Sequence, residues 1–177
     1  MKTLYLLRHA KSSWGDPALP DHERPLNERG RKAAATMGCF LAGLAERPSL
    51  VLASTARRVG ETLDLLLPEL AGNVAVRRDK NLYLAAPHTL LSRLQSTSEI
   101  DDNLMIVGHN PGIHQFALQL LDEPRDKAER EARRRLEEAY PTAALTVLRF
   151  PAAQNWGQIA WGEGRLLSFT TPRALSR

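Results

Sequence analysis

The sequence predicts an α/β protein in which helices flank a mostly parallel central sheet. Short, wholly apolar runs at residues 4–7, 50–53 and 104–107 are typical of strands buried on both faces. Between them lie longer stretches whose apolar residues recur every three or four positions, the spacing of an amphipathic helix. Strands and helices that alternate in this way favour a three-layer arrangement with the sheet in the middle.

The N-terminal segment begins with the strand at residues 3–7. A polar loop at 11–27 follows, and its length and three prolines indicate a functional role more than a simple connection. Asn27 is suited to cap the next helix, which we expect to run to about residue 45 and to be stopped by Pro48.

The second strand, at residues 50–53, leads directly into another helix. The hydroxyl groups of Ser54 and Thr55 are expected to cap this helix, predicted over residues 56–67. A short apolar run at 74–76 predicts the third strand.

The second half of the chain continues the alternation up to a charged segment. We predict a helix over 87–95, the strand at 104–107 and a helix beginning near Gly112. Residues 123–138 carry both charge signs at helical spacing, which predicts a solvated helical arm.

The C-terminal part is expected to finish the sheet. A strand is predicted at 144–150, and alternation at 165–170 predicts an edge strand. Residues 156–161 fit either a helical turn or a strand.

Length and composition limit the classes of protein to be considered. A chain of 177 residues suits one domain with a complete core, so a single domain over 1–177 is expected. A formal charge of +4 favours anionic ligands, whereas interleaved acidic residues argue against a nucleic-acid-binding tract. No apolar run approaches the ~20 residues that span a bilayer, and the N-terminal run is too short for a signal peptide. A cytoplasmic protein without a membrane partner is therefore expected.

The single cysteine, Cys39, excludes an intramolecular disulfide and a cysteine-rich metal site. Its apolar neighbours within a helical stretch predict that it lies in the core.

Chemically useful side chains follow three of the predicted strands. Arg8 and His9 end the first strand, Arg58 lies in the first turn after the second, and His109 follows the fourth. Because the carboxyl ends of parallel strands meet at one edge of a sheet, these four side chains are expected to converge there.

Two arginines and two histidines at one place suit phosphoryl transfer. Guanidinium groups stabilise the charge on the equatorial oxygens of a transferring phosphoryl group. A neutral imidazole can attack phosphorus to form a phosphohistidine, and neighbouring guanidiniums should lower the pKa of His9 and keep it neutral. His109 could donate a hydrogen bond to the transferring group.

Two other interpretations of these residues are weaker. A metal site built from His9, His22 and His109 is disfavoured because fixed cations nearby repel a metal ion, so neither metal nor cofactor is expected. Three consecutive arginines at 133–135 could suggest a nucleic-acid patch, but interleaved glutamates favour a solvated helix face.

The same residues resemble the three motifs of the histidine phosphatase superfamily, which includes the cofactor-dependent phosphoglycerate mutases. The segment Leu-Leu-Arg-His-Ala-Lys-Ser-Ser-Trp at 6–14 is similar to the Arg-His-Gly signature, most closely in its SixA-type form. Ser54-x-x-x-Arg58-x-x-x-Thr62 resembles the second motif, and Gly108-His109 resembles the third.

The resemblance implies a phosphoglycerate mutase-like fold and a set of site roles. His9 would be the nucleophile, Arg8, Arg58 and His109 would bind the phosphoryl group, and Ser12 would add a hydrogen bond to it. The reaction would be metal-independent hydrolysis through a covalent phosphohistidine, acting on a protein phosphohistidine or a small phosphorylated metabolite. Thr62 is expected to be structural, packed beneath the site.

Two departures from the family pattern bear on this reading. Ala10 replaces the usual glycine, and segment 81–87 lacks the glutamate that many members use as a proton donor. Asp16, Asp21, His22 and Glu23 in the long loop are alternative donors. A mutase and a non-catalytic phosphate- or phosphoprotein-binding module remain alternative functions.

Overall fold

The computed structural model describes residues 1–70, 72–98 and 101–176. Within them, six strands form one sheet in the order β3-β2-β4-β1-β5-β6. The first four strands run parallel, and β5 and β6 add an antiparallel extension next to β1. The strands are β1 Lys2–Arg8, β2 Leu50–Ser54, β3 Ala75–Asp79, β4 Asn103–Gly108, β5 Leu145–Phe150 and β6 Arg165–Thr170.

Helices cover both faces of the sheet and complete the predicted three layers. The α-helices among the described residues are α1 Glu28–Ala42, α2 Arg57–Leu66, α3 Pro87–Gln95, α4 Gly112–Leu120, α5 Lys127–Glu138 and α6 Pro172–Leu175. Alternate residues of β1 enter opposite cores: Leu4 and Leu6 pack with α3 and α4, and Tyr5 and Leu7 pack with α1 and α2. The predicted α/β fold with a mostly parallel central sheet is thus confirmed.

The strand register brings three carboxyl ends to one edge. Leu7 pairs with Val107 and Arg8 pairs with Gly108, while Ala53 pairs with Val107 from the other side. β1, β2 and β4 therefore end side by side, as a ligand site at the carboxyl edge of a parallel sheet requires.

Most element boundaries agree with the sequence prediction. The Asn27 cap is confirmed, since its side chain accepts a hydrogen bond from the Gly30 amide at 2.8 Å. The third strand lies slightly later than predicted, at Ala75–Asp79. Residues 156–161 contain a short 3₁₀ helix, Trp156–Gln158, and β6 is an edge strand as predicted.

The expected cap of α2 by Ser54 and Thr55 is wrong. The helix begins at Arg57, Ala56 precedes it, and no side chain caps its first turn. Ser54 is instead the last residue of β2, with its hydroxyl directed to His109.

Cys39 is exposed, so its predicted core position is also wrong. The inner face of α1 is formed by Met37, Gly38 and Leu41, which places Cys39 on the outer side. There its Sγ lies 3.5 Å from the Glu69 carboxylate.

Within the charged segment 123–138, residues Lys127–Glu138 form α5, which is packed against the core and is not a fully solvated arm. Within α5, Ala132 and Leu136 belong to the core. The Glu129 carboxylate is buried and pairs with Arg165 of β6 at 2.6 Å. Only the outer face carries the predicted solvated ion pairs, such as Arg133 with Glu137.

No helix among the described residues combines the length and apolar character needed to cross a lipid bilayer.

Candidate active site

The structure brings together the four side chains that the strand-end pattern singled out. Arg8 is the last residue of β1, His9 follows it, Arg58 lies in the first turn of α2, and His109 follows β4. His9, Arg58 and His109 are buried, and the two imidazole rings lie 5.1 Å apart between centroids. We call Arg8, His9, Arg58 and His109 the histidine–arginine cluster.

The hydrogen bonds of His9 determine which ring nitrogen carries the proton. Its Nδ1 lies 2.7 Å from the Ala10 carbonyl oxygen, which can only accept, so Nδ1 carries the proton. Its Nε2 lies 3.3 Å from Nε of Arg58, which can only donate. Nε2 therefore has an unprotonated lone pair directed toward the arginine.

The surroundings of His9 keep its ring neutral. Burial is the largest cause and lowers the pKa of His9 to about 4. The Ala10 hydrogen bond opposes this shift, while the guanidiniums of Arg58, Arg8 and Arg24 add to it. The sequence-based argument named the guanidiniums but not burial.

Arg8 is oriented by the backbone of a distant segment. Its Nη1 donates to the Tyr140 carbonyl oxygen at 2.8 Å, and Tyr140 is itself anchored by a hydrogen bond from its hydroxyl to Leu6. The buried Nε of Arg8 has no hydrogen-bond partner within the part of the chain that the structure describes. This edge of the guanidinium can therefore bind a ligand oxygen.

Arg58 lies at the centre of the cluster. Its Nη2 is 3.3 Å from Nδ1 of His109, so one guanidinium contacts both histidines. Thr62, one helical turn later, donates to the Arg58 carbonyl at 2.6 Å and accepts from the Ala10 amide at 3.0 Å. Thr62 thus joins α2 to the segment after β1, in agreement with the expected structural role.

His109 is held between Arg58 and the end of β2. Its Nε2 lies 2.7 Å from Oγ of Ser54. Burial is the main cause that lowers the pKa of His109 to about 3, and His9 and Arg58 contribute, whereas Asp21 acts in the opposite direction. Because Nη2 of Arg58 can only donate, Nδ1 of His109 accepts in this geometry, and Nε2 carries the proton that it donates to Oγ of Ser54.

A second group of side chains from loop 11–27 and from the segment after β3 covers the cluster. We call Ser12, Asp21, Arg24 and Tyr83 the loop layer. Arg24 donates to Oγ of Ser12 at 2.7 Å and to the Asp21 carboxylate at 3.0 Å. The predicted site residue Ser12 is therefore buried beside the cluster, with its oxygen bonded to Arg24.

Asp21 contacts the cluster directly. Its Oδ2 lies 3.0 Å from Nη2 of Arg58 and 2.5 Å from the Tyr83 hydroxyl, which donates to it. The Tyr83 hydrogen bond is the largest cause that lowers the pKa of Asp21 to about 2, followed in the same direction by Arg58 and Arg24. In this arrangement Asp21 is ionised.

The other suggested proton donors have local partners. Asp16 accepts from the Ala18 amide, and His22 contacts both Glu23 and Thr55. Asp21 is thus the loop carboxylate that the described geometry connects to Arg58.

Comparisons with known proteins agree with this geometry. The model of the histidine phosphatase superfamily, branch 1, matches residues 4–83. An uncharacterized protein of Mycobacterium tuberculosis (strain H37Rv) is 33% identical over 168 residues, which cover 94% of this chain and 100% of that protein. The chain belongs to the histidine phosphatase superfamily.

Solved structures place this histidine phosphatase among SixA-type folds. A protein of Agrobacterium tumefaciens, provisionally assigned as phosphohistidine phosphatase SixA, superposes with a TM-score of 0.79 at 29% identity, covering 97% of this chain and 98% of that chain. A protein of Nakamurella multipartitia with the same provisional assignment gives a TM-score of 0.81 at 25% identity, covering 97% and 96%.

The departures from the superfamily pattern have structural explanations. The Cβ of Ala10 is fully buried and packs in a small cluster with Leu26, Ala34 and Ala143. In the segment that lacks the family glutamate, Tyr83 instead lies edge-on to His109, with ring centroids 5.3 Å apart.

Sequence reasoning missed Arg24 and Tyr83 as neighbours of this histidine phosphatase site. The available signal for Arg24 was its spacing from Asp21, since the two residues flank a 3₁₀ turn and pair as i and i+3. That spacing is common in solvated loops, so it does not by itself indicate a site.

Proposed function

We propose that this protein is a metal-independent phosphatase that works through a phosphohistidine formed on His9. The observation that carries the proposal is the unprotonated Nε2 of His9, fixed by the Nδ1–Ala10 hydrogen bond and facing Arg58. A buried neutral imidazole next to fixed cations has the properties of a nucleophile toward an anionic phosphoryl group. We further propose that residues 1–177 act as one domain.

In the first proposed step, the lone pair of Nε2 gives up its hydrogen bond with Nε of Arg58 and attacks phosphorus, and the bond to the leaving group breaks. The leaving atom takes the bonding pair: an imidazole that already carries a proton on its other nitrogen leaves in neutral form, whereas an ester oxygen takes its proton from solvent water. The His9 ring becomes cationic, and the Ala10 carbonyl that accepts from Nδ1 stabilises this charge. Arg8 and Arg58 stabilise the phosphoryl oxygens, and Ser12 contributes its hydroxyl proton as a further donor.

In the second step, water attacks phosphorus and the bond to Nε2 breaks. Inorganic phosphate leaves and His9 returns to its neutral form. No metal ion is needed in either step, because the guanidiniums supply the positive charge.

His109 is proposed to donate a hydrogen bond from Nδ1 to the transferring group. In the described geometry Nδ1 accepts from Nη2 of Arg58, which can only donate, so this donation requires that the phosphoryl group replace that contact and that the ring proton move to Nδ1. In that tautomer the Ser54 hydroxyl, 2.7 Å from Nε2, would donate its proton to Nε2 instead of accepting from it.

The preferred substrate is proposed to be a protein phosphohistidine, with a small phosphomonoester as the second possibility. The missing glutamate in segment 81–87 supports this order, because a protonated imidazole leaves more readily than an alkoxide. The names of the SixA-type structural neighbours point to the same class. A cytoplasmic location stays a prediction from the sequence.

Hydrolysis of an aryl phosphate in the presence of a chelator tests the proposed chemistry. We expect wild-type activity to survive chelation and the His9→Ala variant to lose at least about 1,000-fold, as removal of a covalent nucleophile does. His88→Ala is the matched control, because His88 is exposed on α3. Activity abolished by the chelator would contradict the mechanism.

The reaction products distinguish a phosphatase from the two alternative functions, a mutase and a binding module. Isomerisation of a phosphoglycerate without release of phosphate would indicate a mutase. Tight phosphate binding without turnover of aryl phosphate or of a phosphohistidine protein would indicate a binding module.

A further inference from the structure

The guanidinium of Arg58 already has an anionic partner in this structure. Besides its contacts to the two histidines, Nη2 of Arg58 forms an ion pair with Oδ2 of Asp21 at 3.0 Å. The Asp21 carbonyl oxygen also accepts from Nη1 of the same arginine at 2.5 Å. Asp21 therefore occupies donors that the proposed function assigns to a phosphoryl group.

Asp21 covers Arg58 from the solvent side. The Asp21 side chain is 47% exposed, whereas the Arg58 side chain is 4% exposed. The exposed Asp21 carboxylate therefore already holds a donor of a guanidinium that is itself almost wholly buried.

Two further donors hold the Asp21 carboxylate in place. The Tyr83 hydroxyl donates to Oδ2 at 2.5 Å, and Nη1 of Arg24 donates to Oδ1 at 3.0 Å. Arg24 is in turn fixed by the Ser13 carbonyl at 3.0 Å and by the ring of Trp14, whose centroid lies 3.2 Å from its Cζ. These contacts fix the Asp21 carboxylate in its position beside Arg58.

We infer that the Asp21 carboxylate is an internal competitor for the phosphate site, which a phosphoryl group must displace from Arg58. The inference rests on the proposed function only in taking Arg58 as a phosphoryl-binding residue. Two negative groups cannot share the same guanidinium donors without repulsion, so each anion that binds gives up the Asp21–Arg58 pair.

This competition determines which ligands the site favours. Inorganic phosphate contacts the protein only through its oxygens. Its binding free energy is therefore reduced by the whole free energy of the Asp21–Arg58 ion pair that it breaks. A macromolecular substrate gains contacts outside the phosphoryl pocket, where Trp14 is 75% exposed and Leu84 is 54% exposed beside Tyr83. Asp21 is thereby a specificity-determining residue that speeds release of phosphate and disfavours small phosphomonoesters.

Direct binding of orthophosphate, measured by calorimetry on the full chain, tests the inference without any turnover. We expect Asp21→Asn to bind orthophosphate about tenfold more tightly than wild type, the effect of removing one charged competitor. Asp16→Asn is the matched control, because it removes the same charge from the same loop at a residue that bonds the Ala18 amide. Its phosphate affinity should stay at the wild-type value.

A second variant keeps the test independent of how Asp21→Asn folds. Tyr83→Phe removes one donor that holds the carboxylate but keeps its charge, so a smaller gain in phosphate affinity is expected. Thermal unfolding should show that both variants remain folded.

Weaker or unchanged phosphate binding in Asp21→Asn would overturn the inference. Weaker binding would show that Asp21 positions Arg58 for the ligand instead of competing with it. Failure of the proposed function looks different: wild type and all variants would lack His9-dependent hydrolysis, whereas the binding measurement would still report on Asp21.

Discussion

The histidine–arginine cluster and the loop layer differ in how the chain holds them. The cluster residues lie at the ends of β1 and β4 and in the first turn of α2, so regular hydrogen bonding fixes their backbone. The loop layer has only short 3₁₀ turns and an isolated bridge between Ser12 and Leu26, and its side chains are held mainly by one another, such as Arg24 by Ser12 and Tyr83 by Asp21. The cluster is therefore preorganised for one chemistry, whereas the loop layer can exchange its partners when a ligand binds.

The same conservative change should have very different effects in the two regions. Arg58→Lys is expected to lower kcat/KM about 100-fold to 1,000-fold, because lysine cannot offer planar donors to both histidines and the phosphoryl group. Arg24→Lys should cost about tenfold or less, since it acts through Ser12 and Asp21. Steady-state hydrolysis of an aryl phosphate measures both.

Arg57→Lys controls for the loss of an arginine at this helix start, because Arg57 is exposed and pairs with Glu61. It should leave kcat/KM unchanged. Equal losses at Arg58 and Arg24 would show that the distinction between the two regions is wrong.

The two cluster histidines should make the stability of the protein depend on pH. His9 and His109 have pKa values lowered to about 4 and about 3, so the unfolded chain takes up their protons first as the pH falls. The free energy of unfolding should therefore fall between pH 6.5 and 4, by about 3 kcal/mol for each histidine at most. Over this range His9 stays mainly neutral, so kcat/KM should lose its nucleophile only below about pH 4.

Urea unfolding at a series of pH values tests this expectation. His9→Ala should weaken the pH dependence of stability. A wild-type protein whose stability is flat between pH 6.5 and 4 would show that the two cluster histidines are not buried in neutral form.

The two regions also differ in how far the sequence could predict them. The apolar runs of β1, β2 and β4 identify buried strands, and the one-turn spacing of Arg58 and Thr62 identifies a helix face, so the cluster follows from local patterns. Loop 11–27 has prolines but no periodicity, and its geometry depends on contacts to α2 and to Tyr83 far along the chain.

The errors have the same physical origin. Ser54 has the composition of a helix cap, but its place at the end of β2 directs its hydroxyl to His109, a contact made across 55 residues. Cys39 has apolar neighbours in sequence, yet the rotation of α1 that buries Met37 and Leu41 turns it outward. Local sequence patterns do not show which contact a side chain makes with residues distant in the sequence.

Substitution of Ser54, which contacts the histidine–arginine cluster, and of Ser12, which belongs to the loop layer, should give the smallest differences between the two regions. Ser54→Ala should lower kcat about tenfold, because His109 loses the hydroxyl that supports its donating tautomer. Ser12→Ala should lower kcat/KM by about threefold, since its oxygen is bonded to Arg24 and only its proton is left for the substrate. Thr55→Ala, which removes the adjacent hydroxyl, is the control and should leave kcat unchanged.

The central claim is that His9 carries the phosphoryl group, and trapping that intermediate tests it most directly. The enzyme would be mixed with an aryl phosphate, quenched within milliseconds under alkaline conditions that preserve phosphohistidine, and mapped by mass spectrometry. The mechanism predicts one added phosphoryl group on His9 in the wild-type protein and none in His9→Ala. A phosphoryl group on any other residue, or rapid turnover by His9→Ala, would contradict the account.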